Sequence, residues 1–241
     1  MSTKRLAQQV VPGANGAESA TAEDGAVRPR DSLFHWCGTV DAIGQWSKRV
    51  DKVALLRSYF ESVAAQTIGP AARFFVGRIL PRHETIGVGP SLVVDAIQEL
   101  THISADEFRE RYVKHGDLGD AAAEIFAGRL PSGIAVDDVM IWVDELATTP
   151  DPDARRLLVR DMFARLNGLE ARYLVKLLGG TADFGVTEAH VEEALAKAFG
   201  EPLAAVRRAT VLRGDIGEVA QLARRHALDD ARHAERRLTK L

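Results

Sequence analysis

Ile86 to Ile125 reads IGVGPSLVVDAIQELTHISADEFRERYVKHGDLGDAAAEI, and Phe184 to Ala223 reads FGVTEAHVEEALAKAFGEPLAAVRRATVLRGDIGEVAQLA. The two blocks align without a gap at a constant offset of 98. Gly87, Val88, Val93, Ala96, Arg109, Val113, Gly116, Asp117, Gly119 and Ala122 meet Gly185, Val186, Val191, Ala194, Arg207, Val211, Gly214, Asp215, Gly217 and Ala220. One unit is used twice, and a duplicated unit can pack with approximate two-fold symmetry. Duplex nucleic acid is the commonest partner with a two-fold symmetry of its own.

The apolar spacing inside and around the blocks is helical. Leu56, Phe60 and Val63 form one stripe, Leu92, Ala96 and Leu100 another, and Val136, Met140, Val143 and Leu146 a third. No sustained alternation of period two competes, so the expected fold is all-α with about twelve helices. Upstream, Ala72-Arg-Phe-Phe-Val76 resembles Ala171-Arg-Tyr-Leu-Val175, and Leu55, Arg57 and Phe60 match Leu158, Arg160 and Phe163. The helices are therefore expected to form two pseudo-symmetric repeats, spanning roughly 50–126 and 153–224.

Local signals place the boundaries. Ser104 with Glu107, and Asp215 with Glu218, have the spacing of capping boxes. Pro70, Pro90 and Pro202 suit first helical positions, where a missing N–H costs nothing. Gly128, Gly168 and Gly200 suit left-handed helix stops. Residues 1–31 are rich in Ala, Gly, Glu and Gln, lack aromatics and carry Pro12 and Pro29; a disordered tail is expected there. The folded domain is expected over 32–228, with 229–241 a C-terminal helix or linker.

Bulk composition limits function. With 31 Lys and Arg against 34 Asp and Glu, any basic surface has to be local. Cys37 stands alone, which excludes an internal disulfide and suits a small buried residue in a reducing compartment. The opening MSTKRLAQQVV lacks a signal-peptide core, and no stretch approaches the roughly 20 apolar residues of a membrane span. A cytoplasmic protein without membrane contact is expected.

Two recurring elements can touch phosphate. In Gly-Asp-x-Gly, Gly116 and Gly214 can take positive φ, Asp117 and Asp215 can cap the next helix, and Gly119 and Gly217 leave its first turn bare. That turn is either a tight corner or a place where a phosphate approaches exposed amides. The loops at Gly87, Val88, Gly89 and Ser91, and at Gly185, Val186 and Thr187, each feed a helix start. Such starts bind phosphate without Lys or Arg, and without reading base sequence.

Glu170-Ala-Arg-Tyr-Leu-Val-Lys-Leu-Leu178, Phe184-Gly-Val186, Val191 to Gly200 and Gly214-Asp-Ile-Gly-Glu-Val-Ala220 together resemble the N-terminal DNA-binding domain of ATP-dependent DNA ligases. Ser47-Lys-Arg-Val-Asp-Lys52 resembles the Ser-x-Arg-x-x-Lys helix near that domain's start. The resemblance covers about 35–225. It implies a pseudo-two-fold helical domain that grips the minor groove of duplex or nicked DNA through backbone contacts. It also implies a role in repair, replication or recombination. The glycine loops become the leading contacts, with Arg49, Lys52, Arg73, Arg172 and Lys176 secondary.

Two departures accompany the resemblance. Family members often carry Leu-Arg-x-Gly before the second glycine loop, where this chain has Thr181-Ala-Asp-Phe-Gly185; weaker phosphate contact is expected. The adenylation motif Lys-x-Asp-Gly is matched by none of Lys4, Lys48, Lys52, Lys114, Lys176, Lys197 and Lys240. No catalytic residue is therefore expected in this chain. ATP and Mg would belong to a separate ligase catalytic domain or subunit, the expected partner.

Other chemistry lacks its residues. The His83-Glu84 pair has Gly87 where a zincin needs its second His, the histidines are scattered, and no Walker A, nucleophile elbow or dinucleotide fingerprint occurs. The competing reading is a helical-repeat protein-interaction scaffold without DNA binding, which would show an exposed apolar groove.

Overall fold

Helix α1 (Leu33–Gly44) starts where the Ser32 hydroxyl accepts the His35 N–H at 3.2 Å, and buries Leu33, Trp36, Cys37, Val40 and Ile43. The computed structural model describes residues 29–81, 86–180 and 182–230. The rest of the expected tail at 1–31, most of the segment 229–241, His83-Glu84 and Thr181 lie outside these. After α1 come α2 (Arg49–Ser62), α3 (Ala65–Phe75), α4 (Pro90–Thr101), α5 (Ala105–His115), α6 (Leu118–Ile125) and α7 (Val136–Thr148). Then follow α8 (Pro152–Arg165), α9 (Gly168–Leu178), α10 (Glu188–Phe199), α11 (Leu203–Arg213) and α12 (Ile216–Arg224). The described residues thus hold twelve α-helices and no strand, as the apolar spacing predicts; one isolated bridge joins Ser32 to Ala135.

Trp36 is the hub of the core. Its ring lies 5.6 Å from Phe74, 5.5 Å from Phe75, 6.0 Å from Tyr173 and 5.7 Å from Phe184, mostly edge to face. These contacts join residues of both the 50–126 and the 153–224 segments to α1, and aromatic burial of this kind contributes heavily to a core. Cys37 is fully buried beside it, and burial pushes its thiol well above the usual range.

The most extensive helix contacts run between the segments at roughly 50–126 and 153–224. Helix α6 packs on α9, and α12 packs on α3; α4 packs on α8, and α10 packs on α2. Glycines permit the closest of these crossings. A Cβ on Gly119 would lie 2.5 Å from the Arg172 carbonyl oxygen, and one on Gly168 2.6 Å from that of Ala123. At the other crossing, a Cβ on Gly217 would lie 2.7 Å from the Gly69 carbonyl oxygen, and one on Gly69 would meet the Gln221 side chain at 2.8 Å. Close approach is what the missing side chains provide there.

The connection between the blocks is tied down by a buried carboxylate. Glu170, fully buried, accepts from the Ser132 hydroxyl at 2.6 Å and from the Asn167 N–H at 3.0 Å. Nearby, the Leu33 N–H donates to the Ile134 carbonyl at 2.7 Å.

Several boundary expectations change. Pro90 opens α4 as expected, but Pro202 is the N-cap of α11 and Pro70 lies inside α3. The hydrogen bond that Pro70 cannot make falls next to Gly69, where α12 crosses. Gly200 stops α10 at φ 67° and Gly128 follows α6 at φ 82°, whereas Gly168 opens α9. Ser104 and Glu107 exchange both bonds of a capping box. Asp215 and Glu218 do not, because Asp215 accepts from Gly217 and Arg73 while Glu218 pairs with Arg213 at 2.9 Å.

Candidate nucleic-acid interface

Both glycine loops are held by alternation. Ile86 and Val88 are buried while Gly87, Gly89 and Ser91 are exposed; Phe184 and Val186 are buried while Gly185 and Thr187 are exposed. Each loop turns at a glycine in the left-handed region, Gly87 at φ 67° and Gly185 at φ 66°, a conformation costly for any residue with a Cβ. The valine side chains of the expected contact set therefore face the core. Only their backbone can meet a ligand.

A cation from the opposite repeat segment, 153–224 or 50–126, holds each loop. Arg155 of α8 donates through Nη2 to the carbonyls of Ile86 at 2.7 Å and Gly87 at 3.1 Å, and through Nη1 to those of Leu146 and Thr149. Lys52 of α2 donates to the Gly185 carbonyl at 2.8 Å. A trans peptide points its C=O and the following N–H in opposite directions. With the carbonyls drawn inward, the N–H groups of Gly87, Val88 and Val186 face away, and none has a hydrogen-bond partner among the described residues. Gly89, the N-cap of α4, supplies no side-chain cap. That helix start keeps its outward amides and partial positive charge.

The loops differ in one respect that bears on anions. The Asp183 carboxylate accepts the Gly185 N–H at 2.8 Å, so one amide of the second loop is already satisfied by a negative group. His190 accepts the Thr187 N–H at 3.1 Å through Nδ1. Burial, with the charges of Arg49 and Lys52, holds the His190 pKa below its usual value and favours the neutral acceptor form.

A cleft of about 550 Å³ runs beside the first loop, lined by Arg78, Ile79, Leu80, Val88, Leu178 and Gly180 among others. At Gly77 the chain lies against the Ala182 backbone, just ahead of the second loop. The segments preceding the two loops thus touch.

Most basic candidates serve inside the fold. Arg73 is bound by Asp215 at the start of α12, and Arg172 by Asp120, with Asp41 at 3.4 Å. Lys176 meets Asp117 at 3.2 Å and Asp120 at 3.3 Å, and Arg49 meets Glu193 at 2.8 Å. Burial alone would push the Asp120 carboxyl up, but the Arg172 hydrogen bond and the Lys176 charge hold it below the usual range. Contrary to the phosphate-approach reading, Gly119 and Gly217 are both buried under a crossing helix, which occupies the space a phosphate would need. Gly116 and Gly214 do take φ 68°, and Asp117 and Asp215 do cap α6 and α12. The Gly-Asp-x-Gly element is a packed corner.

Sequence reasoning missed Arg155. Its signal was present, since Arg155 follows Lys52 at the spacing that relates Leu55 to Leu158 and Arg57 to Arg160. Among the described residues, no group of three or more His, Cys, Asp or Glu could hold a metal ion, and no helix is long and apolar enough to cross a membrane.

Residues 32–196 match the family described as DNA ligase N terminus. A probable DNA ligase of Koribacter versatilis is 37% identical over 198 residues, covering 80% of this chain and 34% of that protein. A probable DNA ligase of Opitutus terrae is 30% identical over 235 residues, covering 82% and 23%. A DNA ligase of Methanothrix thermoacetophila is 30% identical over 202 residues, covering 79% and 36%. The chain spans about a third of the length of these relatives, or less.

Proposed function

The chain belongs to the DNA ligase N-terminal family, and on that premise we propose that it is the non-catalytic DNA-binding module of an ATP-dependent DNA ligase. It binds duplex or nicked DNA through phosphate contacts, without reading base sequence. The observation that carries this reading is the pair of exposed glycines in the left-handed region, Gly87 and Gly185, beside which the Gly87, Val88 and Val186 N–H groups have no hydrogen-bond partner among the described residues. Adenylation and sealing, with ATP and Mg, fall to a ligase catalytic domain or subunit acting with residues 32–228, in repair, replication or recombination.

We further propose that the two repeats are related by an approximate two-fold axis, so that each loop faces one sugar-phosphate strand. Reciprocity supports this. The α6–α9 crossing uses Gly119 and Gly168, and the α12–α3 crossing uses their sequence equivalents Gly217 and Gly69. Lys52 and Arg155 likewise serve opposite loops.

The test is titration of the purified chain onto nicked and intact duplexes at several salt concentrations. Binding at low salt that weakens as salt rises is expected, with a shallow slope because most cations are paired internally. No binding at low salt, or binding indifferent to salt, overturns the phosphate-contact mechanism. Labelled ATP should leave the chain unlabelled; a covalent adenylate overturns the non-catalytic assignment.

One observation favours the scaffold reading instead. A second cleft of about 550 Å³ is lined by Val94, Phe108, Tyr112, Leu118 and Val175. A chain that binds neither duplex yet captures a protein partner, with capture abolished by Tyr112→Ala, would support it.

A further inference from the structure

Lys52 and Arg155 both donate to carbonyls of the glycine loops, so both point at the protein. Lys52 Nζ is 2.8 Å from the Gly185 carbonyl oxygen, and Arg155 Nη2 is 2.7 Å and 3.1 Å from those of Ile86 and Gly87. Arg155 also holds the Leu146 and Thr149 carbonyls at the end of α7, so one guanidinium fixes the first loop to α7. The loops carry positive φ at the glycine, where the backbone has more freedom than elsewhere. Something must choose which way the flanking peptides face.

We infer that Lys52 and Arg155 are positioning residues, not phosphate contacts: each holds a loop's carbonyls inward so that the next amides face a DNA phosphate. This rests on the DNA-binding reading above and names what sets its geometry. Three links carry it. The trans peptide turns the Gly87, Val88 and Val186 amides opposite to the held carbonyls. Those amides have no partner among the described residues. A donor charge on the carbonyl side also polarises the peptide and strengthens its N–H as a donor.

The arrangement is unequal. Arg155 grips two loop carbonyls and leaves two amides outward, Gly87 and Val88; Lys52 grips one, and Asp183 already occupies the Gly185 amide. The first loop is therefore the stronger half of the grip. Losing Arg155 should cost more than losing Lys52.

Salt dependence separates positioning from contact. A Lys or Arg that neutralises a phosphate contributes about 0.9 to the slope of log K against log salt, and its removal lowers the slope by that amount. A positioning residue changes affinity and leaves the slope alone. The experiment compares the full chain with Lys52→Met, Lys52→Arg, Arg155→Met and Arg155→Lys on a nicked duplex at four salt concentrations, with thermal melting of each protein.

Expected are losses of about tenfold for Arg155→Met and about threefold for Lys52→Met, the size of losing charged hydrogen bonds, with parallel salt plots. Lys52→Arg should recover most of the affinity; Arg155→Lys should recover part, having one ammonium where two carbonyls were bridged. A slope lower by about 0.9 in either Met variant overturns the inference. So does unchanged affinity in a folded variant. Should Arg155→Met melt below the assay temperature, Lys52→Met decides by its slope and Arg155→Lys by its affinity, an unchanged value deciding against the inference. If the unmodified chain binds neither duplex, the DNA reading fails; if it binds and the variants match it, only the positioning role fails.

Discussion

The guanidinium of Arg73 lies flat against the carboxylate of Asp215, with Nε 2.9 Å from Oδ1 and Nη2 2.8 Å from Oδ2. The two side chains are only 14% and 9% exposed, and they are 142 residues apart in sequence. Asp215 also accepts the Gly217 N–H, so one carboxylate both starts α12 and fastens it to α3.

Removing one member of such a pair strands the other charge in a dry corner. Asp215→Asn or Arg73→Met should destabilise the fold by about 3 kcal/mol. Chemical denaturation measures this. A loss under about 0.5 kcal/mol, the scale of an exposed pair, would contradict the packed-corner assignment.

Gly217→Ala tests the same corner without altering charge. The added methyl would meet Arg73 Nε at 2.6 Å and the Gly69 carbonyl oxygen at 2.7 Å, and overpacking of this kind costs about 2 kcal/mol. Gly119→Ala should behave alike against α9. If either variant kept full stability while losing DNA affinity, these glycines would be phosphate approaches and not packing contacts.

Asp183→Ala should strengthen DNA binding. Its carboxylate occupies the Gly185 amide and repels an incoming phosphate, so removal frees a donor and deletes a like charge. A gain of about threefold to tenfold at low salt is expected, consistent with one charge-assisted hydrogen bond. Weaker binding would mean that the Asp183 turn is needed to shape the loop.

His190 makes the second loop sensitive to acid. Its folded-state pKa lies below the usual 6.5, because burial and then Arg49 and Lys52 disfavour the charged ring. The unfolded chain therefore takes up the proton more readily. The His190 contribution is complete above about pH 6.5 and is lost as pH falls below that value and through the lower folded-state pKa. An NMR titration of the ring should give a midpoint below 6.5, with the Thr187 amide resonance moving in step. A midpoint above 6.5 would contradict the acceptor role of Nδ1.

Much of the fold could be read because helical spacing and glycine punctuation are local signals. The stripe at Leu56, Phe60 and Val63 is buried, Ser104 and Glu107 close their box, and Gly116 and Gly214 turn left-handed. What escaped depends on partners distant in sequence. Whether Gly119 faces a phosphate or the Arg172 backbone is decided by α9, and whether Asp215 pairs with Glu218 or Arg73 is decided by α3. Arg155 was legible only through the repeat, since nothing around it marks a residue that reaches back to Gly87.

The crossing of each block's last helix onto the other's early helix has a kinetic consequence. Neither block can complete its own core, so residues 29–126 and 135–230 should not fold as separate halves. The chain must close long loops before α12 meets α3, which predicts slow folding for an all-helical protein. It also predicts one cooperative melting step. A protease cut between Phe126 and Ala135 would leave two pieces that stay clasped until the whole molecule melts.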